Sequence, residues 1–323
     1  MKRVVGAGTL ALVALAHGES NATGRARWSC ADSLAVAIEP RAPVPGALFR
    51  VLVEQTEALG VRPEGEVAGQ PLHFVPRGGG AVSFAALPID AESSSVTLRV
   101  RCMPGEQTDT VRVRVVPART SYPVERLRVS PAFSRAPDSA LASRIRRESD
   151  RARQVAEASH ATPALWEGAW RLPRASRITS GFGRGREFNG TITSRHMGTD
   201  FAGATGAAVR AVNRGVVRIV DRFYYGGNVV YVDHGSGLTS AYLHLSRQDV
   251  AVGDTVARGA ILGAVGATGR VTGPHLHLIV RYGTVTVNPM SLFALAGDSL
   301  ARRAAARGTG VGTGTGAGRG AQR

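Results

Sequence analysis

Short apolar runs broken by proline and glycine set the first part of this chain. Between positions 33 and 117 they fall at 34–38, 48–54, 72–75, 81–86, 96–102 and 110–116. In the last, Val111, Val113 and Val115 alternate with Arg112 and Arg114. That period of two predicts a strand with one face in a core and the other in solvent. Such strands between turn signals, with a cysteine near each end of the segment, predict a small immunoglobulin-like β-sandwich over 28–117. Between 118 and 173 the period is lost. Pro117, Pro123, Pro131 and Pro137 keep the chain extended. Asp138 and Ser139 then cap a helix expected over about 140–159, with Leu141, Ile145, Ala152 and Val155 along one side. Trp166 and Trp170 are placed to pack this connector onto the C-terminal half of the chain.

From 174 to 298 the pattern is β-rich again. Runs at 209–212, 216–220, 229–233, 238–244, 252–256, 261–265, 275–280 and 284–287 lie between Gly-rich turns. Positions 184–195 lack apolar periodicity and are expected to be a loop. The last segment, 299–323, carries Gly/Thr/Ala repeats without apolar anchors and is expected to be disordered. The fold class is therefore mostly β: a sandwich, a helical connector and a second β-rich domain.

Composition adds location. Met1-Lys2-Arg3 precedes an apolar run from Val4 to Ala16 that ends Ala14-Leu15-Ala16. A basic start, a short apolar core and small residues at its end read as a secretory signal over 1–16, or to 22. The run is shorter than the roughly 20 residues that span a bilayer, and no other stretch is long and apolar enough. Cys30 and Cys102 are the only cysteines, and in an exported chain an even pair points to one disulfide. The formal charge is +16, and Lys2 is the only lysine. The segment 25–117 is balanced, with ten arginines against ten acids, whereas 174–300 has thirteen against seven. A basic excess on that half favours anionic partners. Zinc-finger, RNP and interleaved-aromatic patterns are missing, so a specific nucleic-acid partner is not expected.

The chemistry sits between Arg195 and Leu278. His275 and His277 lie on a predicted strand, where residues i and i+2 share a face. His196 and Asp200 are four apart, but Gly198 lies between them, so a loop running into a short strand is expected rather than a helix. Two imidazole nitrogens and one carboxylate oxygen make a three-ligand Zn²⁺ set. A fourth position left to water is the pattern of a catalytic zinc. His73 stands alone in the sandwich segment and reads as structural. His234, in Asp233-His234-Gly235, sits at a turn and is expected to stabilise it.

His196-x-x-x-Asp200 with His275-x-His277 resembles the zinc signature of the M23 metallopeptidases, the lysostaphin and LytM-type cell-wall endopeptidases. The resemblance spans about 178–292. It takes in Thr179-Ser180-Gly181-Phe182-Gly183-Arg184, Tyr242-Leu243-His244, and Gly266-Ala267-Thr268-Gly269. It implies an antiparallel β-sheet with one Zn²⁺ in a groove, held by His196, Asp200 and His277. It implies His244 and His275 as catalytic groups that do not bind the metal, in a chain with no H-E-x-x-H glutamate. The substrate implied by the resemblance is the peptide part of peptidoglycan; the basic excess adds other anionic envelope polymers as expected partners, and the signal-like start an exported location, at the cell envelope or periplasm or outside the cell. Two other readings stay in view. One is a LytM-like regulator of cell-wall amidases that binds the wall without cutting. The other is a carrier module, suggested by the lipoyl-like run Val252-Gly253-Asp254-Thr255-Val256-Ala257-Arg258-Gly259, which lacks the carrier lysine. The arginines of the connector helix, Arg144, Arg146, Arg147, Arg151 and Arg153, fit a wall-binding face or a merely solvated one.

Overall fold

The computed structural model describes residues 34–57, 59–102, 107–130, 133 and 136–295. The signal segment, Cys30 and the Gly-rich tail lie outside the described residues, as does the side chain of Cys102.

Alternating strands build the first half. They are β1 (Val36–Glu39), β2 (Leu48–Val53), β3 (Arg62–Val67), β4 (Gln70–Pro71), β5 (Val75–Arg77), β6 (Gly80–Ala86), β7 (Ser94–Cys102) and β8 (Gln107–Val115). They form two four-stranded antiparallel sheets, ordered β1-β2-β6-β5 and β4-β3-β7-β8. Val96, Leu98 and Val100 of β7 are fully buried, and Arg99 between them is exposed. Phe49, Val51, Ala85, Leu98 and Val115 share one core, so the two sheets face each other. Two strands, β3 and β4, were not expected, and of the expected run 72–75 only Val75 lies in a strand, β5. Pro63 and Gly65 read as breakers, yet β4 pairs only Glu66 and Val67, so Pro63 is not asked to donate on that side. Gly65 is required where it stands, because a Cβ there would lie 2.6 Å from Thr97 O.

Proline does not keep the whole connector free of pairing. Its strand β9 (Val124–Leu127) precedes α1 (Ser139–Ala158), whose first turn is closed by Asp138 Oδ1 accepting from Leu141 N at 2.8 Å. The buried face of α1 is Ala152 and Ala156 rather than Leu141 and Ile145, because only its second half lies on the sheet. Its arginines are largely engaged at the surface: Arg144 with Glu148, Arg151 with Asp221, and Arg153 with Asp150 and Glu157.

The second half contains β10 (Ile178–Ser180), β11 (Gly185–Phe188), β12 (Thr191–Arg195), β13 (Thr199–Ala202), β14 (Ala208–Arg210), β15 (Gly215–Phe223), β16 (Gly227–Gly235) and β17 (Leu238–Gln248). These are followed by β18 (Thr255–Val256), β19 (Ile261–Val265), β20 (His275–Tyr282) and β21 (Val285–Val287), and then by a short helix, α2 (289–295). The main sheet runs β10-β13-β20-β17-β16-β15-β18, with β14 and β19 branching from β17 and β21 from β20. Both faces are covered at its centre, which is why β16 and β17 read as nearly continuous apolar runs. Val230, Val232, Tyr242 and Leu278 point into the main core. Val229, Tyr231 and Ala241 lie on the other face beneath α1.

The stretch 184–195, expected to be a loop, is the hairpin β11–β12, and β11 pairs in parallel with β9. On β11, Gly185, Arg186 and Glu187 are all half-buried and only Phe188 is fully buried, so no apolar period marks it. Trp170 is buried in the main core, and Trp166 packs between it and Phe84 of the sandwich. Leu48 and Ala86 of the sandwich belong to that same core. His73 is not alone: its Nε2 lies 2.8 Å from Nδ1 of His160 at the same junction. Among the described residues, no helix is long and apolar enough to cross a membrane.

Candidate metal centre

Strand register brings the site together. On β13 and β20, Asp200 pairs opposite His277 and Ala202 opposite His275. On the other side of β20, Leu243 of β17 lies opposite His277. His196 reaches the same point from the turn between β12 and β13. Gly198 in that turn is required by close approach, since a Cβ there would lie 2.5 Å from Leu278 O and 2.6 Å from the His277 ring.

Three donor atoms converge. His196 Nε2 is 3.0 Å from both Asp200 Oδ1 and His277 Nδ1, and His277 Nδ1 is 2.6 Å from Asp200 Oδ1. All three residues are buried. The other nitrogen of His196, Nδ1, faces Gly181 O at 2.8 Å and Ser180 Oγ at 2.9 Å. Ser180 Oγ in turn donates to the Glu125 carboxylate at 2.8 and 2.9 Å. Both neighbours of Nδ1 therefore accept from it, and Nε2 is left as a lone pair aimed at a carboxylate oxygen. Two acceptors facing each other in a buried site call for a cation between them. The donor set, two imidazoles and one carboxylate, fits Zn²⁺.

Electrostatics keep the set in its ligand forms. Burial alone would raise the pKa of Asp200. The adjacent His277 and His196 rings, when they carry a proton in the place of a metal, outweigh that and hold it well below the usual carboxylate range. Arg186 on β11 reinforces this, donating from Nη2 to Asp200 Oδ2 at 2.8 Å. Burial lowers the pKa of His277 to about 4, which leaves its ring neutral.

His244 and His275 stand beside the three. Their rings are 5.0 Å apart, and His244 is 5.8 Å from His277. His275 Nδ1 faces Gly273 O at 2.8 Å, and His244 Nδ1 faces Thr268 O at 2.9 Å. Each ring thus donates from Nδ1 to a carbonyl and keeps Nε2 as a free acceptor. His275 Nε2 lies 3.7 Å from Asp200 Oδ1. Burial, with His277 and His275 nearby, pushes the pKa of His244 well down. His244 also has φ of 66°, a left-handed conformation that costs a non-glycine residue about 1 kcal/mol or more. A neighbouring register shift in the β16–β17 pairing accompanies it.

The residues 194–289 match the description of peptidase family M23. The chain carries an M23 peptidase domain. Two relatives from Vibrio cholerae are similar to it, the peptidoglycan DD-endopeptidases ShyC and ShyB. ShyC is 37% identical over 109 residues, 34% of this chain and 25% of its own. ShyB is 43% identical over 117 residues, 35% of this chain and 27% of its own. The chain thus spans about a quarter of the length of these relatives. Among solved structures, a putative peptidase M23 from Pseudomonas aeruginosa is 27% identical with a TM-score of 0.60, covering 78% of this chain and 95% of that one. That coverage extends well beyond the M23 domain, so the likeness takes in part of the N-terminal half.

A groove of about 370 Å³ opens beside the M23 centre, lined by Glu125, Ser180, Arg186, Asp200, Arg270 and His275 among others. Glu125, Arg186 and Arg270 were not anticipated as parts of the site. Glu125 and Arg186 come from β9 and β11, whose parallel pairing leaves no local pattern in sequence. His234 is buried away from the centre, with Nδ1 2.8 Å from Arg214 O and Nε2 2.8 Å from Ser240 Oγ.

Proposed function

We propose that the protein is a zinc endopeptidase that cuts the peptide part of peptidoglycan. The observation that carries this is the pairing of a convergent His196, Asp200 and His277 set with two adjacent imidazoles that hold Nε2 free. Zinc bound by those three would supply Lewis acidity, acidifying water towards neutral pH and polarising a carbonyl. Asp200, fixed by Arg186, keeps the ligand set anionic. Glu125, through Ser180, keeps the His196 ring turned so that Nε2 faces the centre. One of His244 and His275 takes the proton of the attacking water at Nε2. The other, once protonated, stabilises the developing oxyanion or hands a proton to the leaving amine. A binding protein has no use for two such imidazoles, so a non-cutting regulator leaves them unexplained. The names of the relatives support peptidoglycan as substrate. Digestion of defined muropeptides, with fragments identified by mass, tests the reading. New amine ends are expected; wall binding without any cleavage would favour the regulator.

The N-terminal strand orders β1-β2-β6-β5 and β4-β3-β7-β8 support the immunoglobulin-like assignment, since they follow the ABED and CFG sheets with β4 added at the edge. Export to the envelope is part of the same proposal, supported by the basic start and apolar run at 1–16. It carries with it a Cys30–Cys102 disulfide, and two titratable thiols in the unreduced mature protein would count against it.

A further inference from the structure

Among the described residues, one arginine of the groove has no acid to answer it. Arg270 lies in the turn between β19 and β20, with its guanidinium carbon 4.3 Å from the centre of the Phe188 ring and 4.2 Å from that of Tyr225. Its backbone N–H donates to Tyr225 O at 2.9 Å. Three elements therefore hold the group: β11 through Phe188, the β15–β16 turn through Tyr225, and its own turn. Aromatic rings occupy the face of a guanidinium, while its N–H donors point outward in the plane. Stacking thus fixes Arg270 and leaves its donor edge for a ligand.

Among the described residues, no carboxylate lies within ion-pair distance of Arg270. The two acids lining the groove are already engaged. Glu125 accepts from Ser180 and pairs with Arg184 at 3.3 Å. Asp200 is held by His196, His277 and Arg186. Arg186 lines the same groove, and its buried Nε has no hydrogen-bond partner. Burial, with the Arg186 charge nearby, lowers the Arg270 pKa, against an opposing effect of Tyr225 and Tyr224. His275 lines the same groove, so an anion seated here would lie next to the reacting centre.

We propose that Arg270, with Arg186 beside it, forms a carboxylate subsite that selects peptides carrying a free carboxylate next to the scissile bond. The planar fork of a guanidinium matches the two oxygens of a carboxylate, and a stacked arginine loses little freedom in binding it. The inference rests on the peptidase activity proposed above and adds the chemistry its substrate must show.

The test uses the full zinc-loaded chain and two synthetic cross-linked stem-peptide dimers, one with free carboxylates and one with the same groups amidated. For each, kcat/KM is read from amine release and Kd from calorimetry. Wild type should favour the free acid by at least about tenfold in both readouts. Arg270→Gln should erase that preference. Arg270→Lys should keep only part of it, since an ammonium lacks the fork. Zinc content and thermal midpoint are measured for each variant. Equal handling of the two dimers by wild type would overturn the proposal. So would a preference that survives in Arg270→Gln, including the case where both dimers suffer alike, which would make Arg270 a packing residue only. If neither dimer is cut, the endopeptidase reading fails, while the two Kd values still decide whether the subsite exists.

Discussion

At the residue scale, the three residues proposed to hold zinc act through partners that fix which nitrogen is free. Glu125 does not touch the donor atoms, yet it holds Ser180, which accepts from His196 Nδ1. Glu125→Ala should therefore weaken zinc binding by about 10-fold or more, and His277→Ala should abolish stoichiometric zinc. Chelator competition measures both. His234 shows the opposite use of a histidine. Burial lowers its pKa to about 4, so the folded state resists a proton that the unfolded chain accepts near 6.5. Between those values the unfolded state binds more protons, so stability is lost as pH falls from about 6.5 towards 4, by at most about 3 kcal/mol. Denaturant unfolding of metal-free protein at pH 7 and 4.5 should show a smaller pH loss in His234→Gln than in wild type. The convergence of His196, Asp200 and His277 was legible in sequence because they are sparse types at strand and turn spacing. Glu125, Arg186 and Arg270 were not, because nothing local distinguishes them from surface charge. Only the β9–β11 pairing and the stacking on Phe188 and Tyr225 give them a place.

Elements were legible where one face is buried and the other wet, as in β7 and β8, or where both are buried, as in β16 and β17. The hairpin β11–β12 failed both patterns: on β11 the adjacent Arg186 and Glu187 are both half-buried, and Phe188 is the strand's one buried apolar side chain. The helix was marked by its cap rather than by its apolar stripe. Leu141 and Ile145 suggested contact along its whole length, but only Ala152 and Ala156 meet the sheet fully. Small residues there let the helix backbone lie close over Tyr231 and Ala241. The cap should therefore matter measurably. Asp138→Ala removes the acceptor for Leu141 N and should cost about 1 kcal/mol in denaturant unfolding. An unchanged midpoint would show that packing alone sets where the helix starts.

For the whole molecule, the sandwich and the M23 domain are joined by more than a linker. Leu48 and Ala86 sit in the main core, and Leu48 N donates to Ser291 Oγ at 2.9 Å. Gln70 bonds Thr284 through both ends of its amide, at 3.1 and 3.0 Å, and Tyr282 donates to Pro71 O at 2.7 Å. A shared core should unfold together, so calorimetry should give one transition, and Leu48→Ala should lower it as a unit, at a cost of about 2–5 kcal/mol. Two separate transitions would show that the halves are independent. This junction was invisible in sequence, where Gln70 and Thr284 are merely polar and His73 looked solitary. The proposed function divides the labour at the centre: three residues would hold zinc, and two imidazoles would move protons. Zinc content and peptidoglycan turnover, measured in parallel on His244→Ala and His275→Ala, test that division most directly. Each variant should keep stoichiometric zinc while turnover falls by about 10²-fold or more. A variant that cuts as fast as wild type, or one that loses its zinc, would contradict it.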